Sequence, residues 1–136
     1  KIRHDPDKFP SAVASLSARE IIFQIDGAYG KGYLETYCID HGNAVPLFDC
    51  SHGTGIVPRI WPQPFLMAND SQYADHGYAG GLGPNNLATE LPRIADAAGD
   101  CRVWIDMETG VRSNHDRLFD LKKVYQVLDF ITLHMM

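Results

Sequence analysis

The chain has 136 residues, of which 45% are hydrophobic and 21% charged, with a formal net charge of -5 at pH 7. That length supports one domain with a real core rather than two, and the acidic balance argues against nucleic acid or an anionic membrane as the main partner. No apolar run is long enough to span a bilayer, no signal peptide is expected, and three cysteines without CxxC spacing (Cys38, Cys50 and Cys101) point to a reduced, cytoplasmic setting.

In chain order, residues 1–4 read as the stub of a strand, and residues 7–16 as a helix with Phe9, Ala12, Val13 and Leu16 at helical spacing. Residues 20–25 (EIIFQI) have the length and apolar character of a buried parallel strand, ended by Asp26-Gly27. Residues 31–39 read as a short helix, stopped by His41-Gly42-Asn43. Residues 44–49 (AVPLFD) form the next predicted strand, although Pro46 removes a ladder donor. Residues 56–76 hold Pro58, Pro62 and Pro64 around Trp61 and Phe65, the composition of a long structured loop. Residues 77–79 start a short strand. Residues 85–98 form the clearest helix, with Leu87, Leu91, Ile94, Ala95 and Ala98 on one stripe and Gly99 behind it. Pro92 inside it predicts a kink or a later start. Residues 102–107 (RVWIDM) are the last strand, and residues 120–133 an amphipathic helix carrying Leu121, Val124, Tyr125, Leu128 and Ile131.

Strands alternating with helices imply a parallel sheet with right-handed crossovers. Three strand ends carry glycines: Leu47 to Gly55 (LFDCSHGTG), Tyr78 to Leu87 (YAGGLGPNNL) and Trp104 to Val111 (WIDMETGV). Glycines let backbone N–H groups approach an anion, and a helix start behind them adds partial positive charge. Three such ends in succession predict a phosphate pocket at one sheet edge. A phosphate site at the last strands, followed by a closing helix, favours a (β/α)8 barrel over an open doubly wound sheet.

The segment AGGLGPNN (Ala79 to Asn86), followed by WIDMETGV, resembles the last two βα units of phosphoribosylanthranilate isomerases, which carry AGGL-P-N and then D-x-S-S-G-V. LFDCSHGTG is similar to the family's sixth strand, L-L-D with a G-G-T-G loop, and RLFDLKKV (Arg117 to Val124) to the opening of its final helix. The resemblance spans most of residues 44–130. It implies that residues 1–136 are one partial barrel domain, covering about the last five βα units of a TIM barrel. It also implies an Amadori aldose–ketose isomerisation in tryptophan biosynthesis, which needs an acid at the furanose ring oxygen and a base at the sugar's C2. The matching acid is Asp49. The matching phosphate-binding positions are Gly53, Thr54 and Gly55, then Gly80 and Gly81, then Thr109 and Gly110. No cofactor is implied, and the partner is a small phosphorylated metabolite.

Three departures accompany the resemblance. The family's first-strand cysteine base has no counterpart, G-V-E becomes Gly110-Val111-Arg112, and the double serine becomes Glu108-Thr109. A carboxylate at Glu108 opposes a phosphate unless it points away or pairs with Arg112.

Each candidate also has a plainer reading. Asp49 can cap its loop, and Asp106 can serve backbone near the pocket mouth. Cys50 alternates to the opposite face of the strand from Asp49 and reads as a small buried side chain. His52 can contact phosphate or lie solvated. Arg112 can clamp an anion or pair with Asp116 or Glu108, and Trp61 and Phe65 can stack on a ligand or pack their loop down. No metal-binding spacing is present. Two further functions stay open beside the isomerase: a non-catalytic relative that binds a phosphorylated metabolite, and a half-barrel that self-associates as a homo-oligomer.

Overall fold

The computed structural model describes residues 17–25, 44–51, 54–64 and 75–134. Four strands form one parallel sheet in the order β1 (Ile21–Ile25), β2 (Ala44–Asp49), β3 (His76–Ala79), β4 (Val103–Ile105). Each strand pairs with its neighbour in sequence: Ile25 stands beside Phe48, Phe48 beside Tyr78, and Tyr78 beside Ile105. Helix α1 (Leu87–Ala98) joins β3 to β4. After β4 come a single 3-10 turn (Thr109–Val111), a two-residue hairpin of β5 (Arg112–Ser113) and β6 (Leu118–Phe119), and helix α2 (Leu121–His134).

This is the expected α/β class with a parallel sheet; barrel closure is not among the features of the four described strands. The strands at residues 20–25, 44–49, 77–79 and 102–107 and the helices at 85–98 and 120–133 all have counterparts, with ends shifted by at most two residues. The predicted elements at 1–4, 7–16 and 31–39, and the stop at 41–43, lie outside the described residues. Among the described residues no helix is long and apolar enough to cross a membrane.

Pro46 is tolerated because the β2–β3 ladder begins only at Leu47, one residue later, so the residue without an N–H lies where β2 has a single bridged neighbour. Pro92 stays within α1 as its sixth residue, and the helix continues to Ala98. Gly99 follows with φ +60, its N–H closing on the Ala95 carbonyl at 2.9 Å. Asp120 starts α2: its Oδ1 accepts from the N–H groups of Lys122 at 3.0 Å and Lys123 at 3.4 Å, and its Oδ2 accepts from Ser113 Oγ. That is an N-cap tied back to the hairpin.

Alternation places Ile25, Phe48, Tyr78 and Ile105 on one face of the sheet. There Ile25, Phe48 and Tyr78 pack with Trp61, Leu82 and Ile94 into the main core, and the Ala97 side of α1 closes over them. Trp61 packs its loop down: it is buried, meets Tyr78 edge-on at 5.8 Å, and donates from Nε1 to Glu90 Oε2 at 3.0 Å. Glu90 is thereby satisfied inside the apolar stripe of α1, with Arg93 2.7 Å away as its counter-charge. A second cluster of Leu87, Val111 and Val127 joins α1, the 3-10 turn and one side of α2. With one face closed by helix and loop, the functional groups collect where the strands end.

Candidate functional site

The strands are parallel, so all four C-terminal ends fall along one edge. A cleft of about 80 Å³ opens there. Asp49 and Ser51 from the end of β2, Ala79 to Leu82 after β3, and Asp106 to Thr109 after β4 line it, and Gly55 completes it from the loop after β2. Parallel α/β sheets place their ligand sites at this edge.

Asp49 sits half-buried on the cleft wall and accepts three hydrogen bonds. Its Oδ1 takes the Ser51 N–H at 3.0 Å and the Ser51 hydroxyl at 2.8 Å; its Oδ2 takes the Gln24 amide at 2.7 Å. A carboxylate oxygen has two lone-pair directions. Oδ1 is therefore filled, and Oδ2 keeps one acceptor direction among the described residues. Asp49 does cap its loop, and it also presents an oxygen to the cleft edge.

Beside it, Gly80 and Gly81 have φ of +120 and +67. A Cβ on Gly81 would stand 2.6 Å from the Gly55 carbonyl oxygen and the Val57 nitrogen, so the turn requires glycine on both conformational and steric grounds. Among the described residues the N–H groups of Gly80 and Gly81 donate to no acceptor. Asn86 closes the same turn, accepting from the Gly83 N–H and donating to the Gly81 carbonyl, each at 2.9 Å. The expected helix start lies behind this turn, but residues 84–88 are not part of the lining.

The predicted loops converge. Thr109 Oγ1 lies 3.2 Å from where a Gly55 Cβ would be, joining the loops after β2 and β4. Of the predicted phosphate positions, Gly55, Gly80, Gly81 and Thr109 line the cleft. Thr54 and Gly110 do not. Thr54 turns back on Ser51, its N–H and hydroxyl both donating to the Ser51 carbonyl at 2.9 and 2.6 Å. Gly110 serves loop packing: a Cβ there would meet the Leu82 carbonyl oxygen at 1.9 Å. His52 and Gly53 lie outside the described residues.

Arg112 takes its plainer reading. Its guanidinium is 3.7 Å from Glu108 and donates to the Asp116 carbonyl at 3.2 Å, outside the cleft. It therefore offsets Glu108, one of three carboxylates at the cleft among the described residues, with Asp49 and Asp106. Burial, with Asp49 alongside, pushes the Cys50 thiol above its usual range, which disfavours a nucleophilic thiolate. Among the described residues no three His, Cys, Asp or Glu side chains group to hold a metal ion.

Two residues that sequence reading missed hold Asp49 in place. Ser51 had a signal, since an aspartate followed two residues later by serine can form a local side-chain turn. Gln24 is visible only through register: Gln24 pairs with Leu47, so alternation puts Gln24, Leu47 and Asp49 on one face.

The chain matches no protein-family model, no curated protein and no solved structure.

Proposed function

We propose that this chain provides the last βα units of a (β/α)8 barrel of the phosphoribosylanthranilate isomerase type and acts as a sugar-phosphate aldose–ketose isomerase. The observation that carries the reading is the meeting, in one cleft, of Asp49 with the open donors of Gly80 and Gly81. The strand order supports the barrel. A doubly wound sheet needs a reversal of order, whereas β1 to β4 run as successive neighbours; crossovers of one hand then lie on one face, as in a barrel.

In this reading the Gly80 and Gly81 amides hold the phosphate, with Gly55 and Thr109 closing the subsite. Neutral backbone donors suit a cleft whose lining among the described residues contains no Lys or Arg. Asp49 delivers a proton to the furanose ring oxygen as the ring opens. A base then removes the C2 proton to give the enaminol, which becomes the ketose. The cleft is far smaller than the ~300–1,000 Å³ of ordinary small-molecule sites, so it takes the phosphate and the nearer sugar atoms, with the amine substituent outside.

The test is turnover of an N-aryl aminoaldose phosphate, followed by the change in aryl absorbance, alongside protection by inorganic phosphate against thermal unfolding. Asp49→Asn should abolish turnover and leave protection largely intact. Equal loss of both would sink the acid role. A second reading, binding without turnover, is favoured by the use of Asp49 Oδ1 as a turn cap. Phosphate protection in a wild-type chain that forms no ketose would select it.

A further inference from the structure

Residues 55–61 run from the cleft to helix α1 as a strap. The cleft end lies against the glycine turn after β3. A Cβ on Gly81 would stand 2.6 Å from the Gly55 carbonyl oxygen and the Val57 nitrogen, and 2.8 Å from the Ile56 carbonyl carbon. The far end is held from α1. One guanidinium nitrogen of Arg93 donates to the carbonyls of Pro58, at 3.4 Å, and Arg59; another donates to Glu90 Oε2 at 2.7 Å. Glu90 takes the Trp61 indole N–H on that same oxygen at 3.0 Å. Among the described residues the Pro58 and Arg59 carbonyls have no other donor. Ile56 and Ile60 are exposed, so only Val57 and Trp61 give the strap an apolar hold on the core.

We propose that Arg93, outside the cleft lining, is a positioning residue for the anion subsite at Gly80 and Gly81, a role that rests on those amides holding the anion. The link between anchor and subsite is short. Pro58, whose carbonyl Arg93 holds, directly follows Val57, which abuts the Gly81 turn. It is also stiff, because proline fixes its own φ and confines the residue before it to extended backbone. Displacement at residues 58–59 therefore carries to residues 55–57. There it changes the close contact over Gly81 and moves Gly55, which lines the cleft and faces Thr109. A planar fork that reaches two carbonyls and a carboxylate at once fixes direction as well as distance, which an ammonium does not. The Glu90–Arg93 pair, two residues three apart on one helix, contributes little through its charge alone. What Arg93 adds is the placement of the strap.

The experiment titrates inorganic phosphate into the 136-residue chain while nuclear magnetic resonance follows the Gly80 and Gly81 amides. It is run well below the unfolding midpoint, where a difference in stability leaves the folded population unchanged. Arg93→Met should weaken phosphate about fivefold or more and keep the wild-type circular dichroism spectrum. Arg93→Lys keeps a charge for Glu90 but replaces the fork with a point donor. It should bind between wild type and Arg93→Met, and it carries the test if Arg93→Met does not fold. Arg102→Met is the control. It removes the same charge from an exposed pair with Asp75 just before β4, at the opposite edge of the sheet, and should bind as wild type does. Arg93 variants that bind phosphate like wild type overturn the positioning role alone. Equal weakening in Arg102→Met overturns it too, by assigning the loss to net charge. A wild-type chain whose Gly80 and Gly81 amides ignore phosphate overturns the anion reading itself, and the role of Arg93 with it.

Discussion

Replacing Asp49 by alanine removes two hydrogen bonds from Ser51 and one from Gln24. Ser51 is 7% exposed, so its N–H and hydroxyl have little water to turn to. Hydrogen bonds to a charged acceptor contribute about 1.5–3 kcal/mol each, and their losses overlap when one residue makes both. The Gln24 bond is exposed and adds little. Asp49→Ala should therefore cost about 2–4 kcal/mol of folding stability. Asp49→Asn keeps an oxygen for both Ser51 donors, and the Gln24 amide can turn to offer its oxygen to the new amide. Its cost should stay below about 1 kcal/mol.

Urea unfolding followed by far-ultraviolet circular dichroism measures both, with the midpoint carrying the difference and the slope unchanged. This comparison makes the loss of turnover in Asp49→Asn interpretable, because it separates chemistry from architecture. An asparagine variant as unstable as the alanine variant would refute the reasoning, since charge rather than geometry would then hold the turn. An alanine variant within about 0.5 kcal/mol of wild type would refute it from the other side, leaving the Ser51 bonds without weight.

Three further outcomes are expected. Gly77→Ala places a Cβ 2.4 Å from the Trp104 indole, so it should cost about 1–3 kcal/mol by overpacking; combined with Trp104→Leu the loss should be smaller than the sum of the two, and strict additivity in urea unfolding would refute the contact. Tyr78 has no exposure, and burial pushes its phenol up to about 12. The folded pKa lies above the unfolded value, so this stability is complete below about pH 10 and is lost as pH rises from there, by up to ~3 kcal/mol; Tyr78→Phe, which lacks the phenol, should show a shallower alkaline loss in pH-dependent thermal melts, and an identical profile would count against it. Glu108→Gln should tighten inorganic phosphate two- to threefold and Arg112→Gln should weaken it by a similar factor, both effects shrinking in high salt because Glu108 is well exposed; calorimetric titration at two ionic strengths reads this.

The elements were legible where a local rule governed them. Residues 44–49 and 120–133 are bounded by an aspartate at a strand end and an N-cap aspartate, and both ends appear close to where the letters place them. The spatial gathering of three glycine-bearing strand ends was legible as well, because parallel strands must end on one edge. Partners across strands were not. Gln24 reaches Asp49 only because β1 pairs with β2 in one register, and a slip of one residue would send Gln24 to the other face. Packing its loop down is the commoner use of a residue like Trp61, and what it packs against shows only in Glu90, 29 residues away, which takes its N–H.

The glycines mark the boundary most clearly, because one letter covers different physical demands. Among the described residues Gly80 and Gly81 leave N–H groups open, and they take backbone angles that side chains disfavour. Gly110 belongs to the same phosphate-like pattern in sequence, yet the Leu82 carbonyl occupies the place its side chain would need. Gly77 lies under an indole on a neighbouring strand. A sequence motif records that a side chain is excluded but not what excludes it. At Gly110 the excluder is the loop that carries Gly80 and Gly81, so its smallness acts on the site indirectly. It lets the loop after β4 approach the loop after β3 closely enough for Thr109 to line the same cleft as the open amides. The anion subsite proposed for Gly80 and Gly81 therefore depends on a glycine that need not touch the anion.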